Sequence, residues 1–137
     1  MTNDTDWTSG DLEGRWAISL LYLRWTVGYS QITISHLSTE YVLVPISATK
    51  QGVSYNPTGD VVQMAFMPNT AQQPGVSDWM TASWDTNSTN IIYPYSVKCL
   101  VGPSGVITLG TGTYVIFVKI TDNPETPVLV AGQLAVT

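Results

Sequence analysis

The run Thr113–Thr121 limits the fold more than any other stretch of this chain. Tyr114, Ile116, Val118 and Ile120 recur at every second position, with Thr113, Lys119 and Thr121 on the alternate positions. Residues two apart share a face only in an extended strand, so this run is a strand with one buried face. Val115 and Phe117 make the second face apolar as well, which marks it as covered or as facing an interface.

The same period recurs along the chain. Val42, Val44, Ile46 and Ala48 alternate with Tyr41, Leu43 and Ser47, and Pro45 within this run predicts an edge or a bulge, because proline cannot donate to a ladder. Val62, Met64 and Phe66 form one face of a second strand. Trp79 to Trp84 reads as one short strand whose two indoles face opposite ways. Tyr93, Tyr95, Val97, Cys99 and Val101 share a face in another, and Val106–Leu109 is a further short strand. In the last, Val128, Val130, Leu134 and Val136 line up on one face. Gln51-Gly52, Asn56-Pro57-Thr58-Gly59-Asp60, Gly102-Pro103-Ser104-Gly105 and Asp122-Asn123-Pro124-Glu125 supply turn chemistry between the runs. About seven closely spaced strands predict an all-β, immunoglobulin-like antiparallel β-sandwich over residues 35–137. The likeness is architectural only, since the Cys…Trp…Cys spacing is absent.

Composition agrees. The 137 residues fit one domain, and 44% are hydrophobic, so the chain can bury a core without staples. Charged residues are 11%, against about 25% in an average domain. Hydroxyls fill the gap, with 18 Thr and 12 Ser. The net charge is −5 with only five basic residues, too few to neutralise a nucleic-acid backbone or hold an anionic membrane.

Residues 1–34 read as a separate leader, helical or disordered. Three of the five Trp (Trp7, Trp16 and Trp25) and both Arg lie before residue 27. Trp16, Leu20, Leu23 and Val27 would share one face of a docking helix. The run from Trp16 to Tyr29 is too short for a membrane span and contains Arg24. Acidic residues stand where a secretory signal needs positive charge. Leu23-Arg24-Trp25-Thr26-Val27 is also encodable as a ribosome-binding site followed by a GTG start, which predicts natural initiation near Val27 and synthesis in a bacterial cytoplasm.

Catalytic chemistry is scarce. The chain has one His and one Cys. His36 follows Ser35 on a strand, where neighbours point apart. Cys99, in phase with Val97 and Val101, reads as a small core hydrophobe. One Cys and one His cannot complete a zinc set. Asp122, Asn123 and Glu125 offer oxygen ligands, but an Asx turn before proline is the commoner use of such a sequence. No glycine-rich phosphate loop or nucleophile elbow is present. The expectation is therefore no enzyme, no cofactor and no metal. Converging carboxylates such as Asp60 and Asp78 in a deep pocket would revive catalysis.

Several segments resemble a known group. They are Ser38–Pro45, Tyr55–Phe66, Asp78–Trp84, Leu100–Pro103 and Gly112–Glu125. Together they resemble small proteins encoded among the virion structural genes of actinobacterial tailed phages, over residues 35–137. A weaker likeness is to the N-terminal β-sandwich modules of phage baseplate proteins. The resemblance implies a virion structural protein, accessory to the capsid or the head-to-tail connection. Its partners would be other virion proteins of capsid, connector or tail, or further copies of itself within a symmetric particle. The expected interface residues are Val115, Phe117, Trp84 and Tyr93. The rival is a tail or baseplate module that recognises a host-surface glycan or protein through Trp84, Tyr93 and Tyr95.

Overall fold

The computed structural model describes residues 8–11, 13–14, 23–68, 72–87, 91–122 and 125–137. In chain order the strands are β1 (Thr8–Asp11), β2 (Glu13–Gly14), β3 (Leu23–Val27), β4 (Ser30–Ile34), β5 (Glu40–Lys50), β6 (Val53–Ser54), β7 (Val61–Met67), β8 (Met80–Thr81), β9 (Ser83–Asp85), β10 (Tyr95–Val101), β11 (Gly112–Thr121) and β12 (Val128–Val136). A 3-10 turn occupies Val76–Asp78. The chain divides into two compact units, residues 1–26 with 47–57, and residues 27–46 with 58–137.

The larger unit is β-sandwich-like, with two sheets. In the first, β5, β10 and β9 are antiparallel neighbours. The second runs β4-β12-β11-β7-β8. Val42, Val44 and Ile46 of β5 and Val97, Cys99 and Val101 of β10 supply one side of the core. Val62, Met64 and Phe66 of β7, Ile116, Val118 and Ile120 of β11, and Leu134 and Val136 of β12 supply the other. Alternation along each strand puts these residues on one face, and burying them is the main driving force of the fold.

The second sheet also has an apolar outer face. Val115 pairs with Met67 and Phe117 with Ala65 across β11 and β7. These four residues form their own buried cluster, and Trp79 packs against it. The smaller unit contains the end of β5 and the hairpin to β6. Gln51 at φ 54° and Gly52 at φ 76° make the two-residue turn there, the positive-φ geometry that matches strand twist. Trp25 meets Tyr55 edge-on, with centroids 6.4 Å apart.

Several expectations change. The sandwich is not purely antiparallel, because β4 runs parallel to β12 from Ser30↔Gly132 to Ile34↔Val136. The boundary at residue 34 therefore moves, since Ser30–Ile34 is a strand of the second sheet. Leu23–Val27 is strand rather than helix, and Trp16 and Leu20 lie outside the described residues. An apolar run of that kind satisfies either state, so periodicity does not separate them. Trp79 is not in a strand. Met80–Thr81 and Ser83–Asp85 are two strands in different sheets, with Ala82 between them. Val106–Leu109 forms no strand and makes only an isolated bridge, Val101↔Ile107.

Val128 and Val130 do not share the buried face with Leu134 and Val136. They are 46% and 51% exposed, because a bulge opposite Ile116 and Phe117 inserts Ala131 and shifts the alternation by one residue. Pro45 sits inside a paired strand, opposite Ser96. Its carbonyl accepts the Gly28 N–H at 2.9 Å, just past the end of β3.

Candidate functional site

The expected interface residues do not converge. Val115 is 5% and Phe117 is 2% exposed, so neither is presented to a partner. Trp79, just after the 3-10 turn, packs against them. Sequence reasoning saw that this face is apolar, but the segment that covers it comes from elsewhere in the chain. Trp84, on β9, turns to the edge of the sandwich and donates its indole N–H to the Asp60 carbonyl at 2.9 Å. Tyr93 precedes β10, and its ring edge lies near Gly28, beside Pro45.

Among the described residues, two surface features bear on binding. The first is an open cleft of about 560 Å³ where β7, β8 and β9 meet. Trp84, Asp60, Gln63, Thr81, Ser83 and Thr86 line it. Its wall is mixed, with an indole, a carboxyl, an amide and hydroxyls. The second is the outer face of the first sheet. Tyr41 and Leu43 alternate outward along β5 and are 53% and 37% exposed. Leu100 stands opposite Tyr41, and Lys98 opposite Leu43. The Lys98 ammonium lies 4.9 Å from the Tyr41 ring centroid. With exposed Val106, Tyr41 and Leu100 line a recess of about 220 Å³.

The titratable groups are placed as follows. Cys99 is buried, its Sγ donates to the Thr81 carbonyl at 3.7 Å, and burial pushes its pKa up to about 11. His36 is exposed, with Nδ1 2.7 Å from the Thr137 carbonyl. Asp78 accepts the Gly75 N–H at 2.7 Å within its own turn. It does not join Asp60, whose carboxyl partner is Asp122. Burial holds the Asp60 pKa above its ordinary value, and the facing Asp122 raises it further. No sequence signal links these two acids, which meet because β7 begins where β11 ends.

Asp122 and Glu125 exchange two backbone hydrogen bonds across their turn, at 2.8 and 2.6 Å. Asn123 lies outside the described residues. Among the described residues no three of His, Cys, Asp and Glu gather where a metal ion could sit, and no helix is long and apolar enough to cross a membrane. No family model, curated protein or solved structure matches this chain.

Proposed function

We propose that this chain is a non-enzymatic structural protein of a phage virion, accessory to the capsid or the head-to-tail connection. It works by packing against other virion proteins. The outer face of the first sheet carries this reading, because it bares Tyr41, Leu43 and Val106 around Leu100. Contiguous apolar residues rimmed by polar ones are what protein interfaces cover. The virion setting draws its support from the resemblance of residues 35–137 to small phage proteins. An immunoglobulin-like identity belongs to the same reading. Its supports are a first strand of the second sheet parallel to the last strand, and a chain that changes sheet at Ala82.

Mass spectrometry of purified particles tests the setting, and absence of the chain from virions overturns it. A second test uses Tyr41→Ser with Leu43→Ser. Both side chains are partly buried and paired, so the double substitution should cost about 1–2 kcal/mol of folding stability, and urea unfolding checks that the variant remains folded. Incorporation into particles should fall sharply.

The Trp84 cleft favours a second reading, a tail or baseplate module that recognises a host-surface glycan. An indole beside several hydroxyls and an amide offers a sugar both a stacking face and hydrogen bonds. A glycan array on which the wild type and Trp84→Ala show no difference removes it.

A further inference from the structure

The second sheet ends in β4, and this edge is unlike the others. Because the Ile34 carbonyl accepts the Thr137 N–H at 2.9 Å, the backbone groups of Ile34 face β12. Backbone N–H and C=O groups alternate sides along a strand. Those of Ser30 and Ile32 therefore face β12 too, and those of Gln31 and Thr33 face away. Neither Gln31 nor Thr33 has a partner for these groups among the described residues. Both side chains are exposed.

Proteins commonly blunt such edges with a charge, a proline, a bulge or a very short strand. The far edge of this sheet, β8, has two residues, and β9 has three and ends in Asp85. β4 runs for five residues, Ser-Gln-Ile-Thr-Ile, with no charge, proline or register shift. It is an unguarded template for strand addition.

We infer that β4 is a self-association edge, on which a second copy of this chain adds its own β4 antiparallel about a two-fold axis at Ile32. Unpaired N–H and C=O groups at strand spacing recognise an extended strand. The described edges of β8 and β9 are too short to match five residues, and β3, the other five-residue edge, carries the charge of Arg24, so the complementary edge is β4 of another copy. In this register Gln31 and Thr33 of one copy exchange backbone hydrogen bonds with Thr33 and Gln31 of the other. No like charges meet, and the two-fold closes the assembly where a head-to-tail contact would propagate a fibre. The pairing needs no virion setting, and its failure leaves the proposed structural role untouched.

One strand pair buries less than a standard interface, so the dimer is weak in isolation. It gains strength where copies are held together by other contacts. Each copy carries a net charge of −5, so salt should strengthen association by screening the repulsion.

Sedimentation equilibrium on the full chain, from low to high micromolar concentration, tests the pairing. The wild-type mass should climb toward twice the monomer, and the Gln31 and Thr33 amides should gain hydrogen-exchange protection with concentration. Thr33→Pro deletes an outward N–H and none of the ladder to β12, and it should hold the mass at the monomer. Gln31→Lys with Thr33→Lys should do the same by opposing like charges. An equimolar mixture with Gln31→Glu plus Thr33→Glu should restore the doubled mass. A wild type that stays monomeric throughout, or a dimer that both sets of substitutions leave intact, overturns the inference.

Discussion

The Lys119 ammonium stands 4.6 Å from the centroid of the Trp79 ring. Beneath the indole lie Ala65, Met67, Val115 and Phe117. The pair thus closes a second, smaller core on the outside of a sheet whose inner face already carries the main one. Trp79→Ala removes the cover, and its expected cost is about 2 kcal/mol, below that of a fully buried Trp because the ring is only partly buried. Lys119→Met should cost less than about 1 kcal/mol, as expected for a partly exposed cation over a ring. Urea unfolding measures both, and a Trp79→Ala variant as stable as wild type would show that the cover contributes nothing.

Gly132 occupies the bulge of β12 at φ 149°, and a Cβ there would run into the Ser30 carbonyl. The close approach of β4 depends on this missing side chain. Gly132→Ala should therefore loosen β4 while the ladder between β11 and β7 holds. Hydrogen exchange at Ile32 and Ile34 reports the first, and exchange at Lys119, whose N–H faces β7 because that of Ile120 turns to Pro127 beside β12, reports the second. Unchanged protection at Ile32 and Ile34 would contradict the prediction.

The Asp60 carboxyl is held above its ordinary value of 3.8, first by burial and then by the facing Asp122. A carboxyl with a raised folded pKa holds its proton more tightly in the native state than in the unfolded one. Its contribution to stability is full below 3.8 and is lost as the pH rises through the raised value. Asp60→Asn keeps the shape and removes the repulsion. It should raise the melting temperature at neutral pH, with the gain vanishing in acid below 3.8. Melting curves across pH test the sign, and a variant that is no more stable at neutral pH sinks the argument.

Cys99 should be chemically quiet. Its thiol pKa moves from 9.0 to about 11 through burial alone, so little thiolate forms at mildly alkaline pH. Alkylation of the native protein should be slow and should accelerate across the urea transition. Rapid labelling of the folded chain would be inconsistent with this placement.

The strands with one clean apolar face were legible from spacing. Thr113–Thr121, Glu40–Lys50 and Val61–Met67 need no tertiary information, because one sheet face dictates every second residue. Three kinds of feature were not legible. The Ala131 bulge changes the phase of β12 without changing its composition, so Val128 and Val130 looked equivalent to Leu134 and Val136. The division at Ala82 is invisible because Met80–Asp85 alternates as a single strand would. The cover on Val115 and Phe117, and the meeting of Asp60 with Asp122, are long-range facts that depend on which strands become neighbours. The candidate surfaces followed the same rule. Tyr41 and Leu43 were read correctly as the alternate face of β5, whereas Trp84 gained its meaning only from the Asp60 carbonyl.

The passage through Ala82 has a mechanical consequence. In most sandwiches the two layers are held only by side chains and by loops at the ends, so they can slip past one another under load. Here β8 is stitched to β7 in one layer, and with only Ala82 between them β9 is stitched to β10 in the other. Shear between the layers is therefore resisted by covalent backbone anchored on both sides, and a force applied to one sheet is delivered directly to its neighbour.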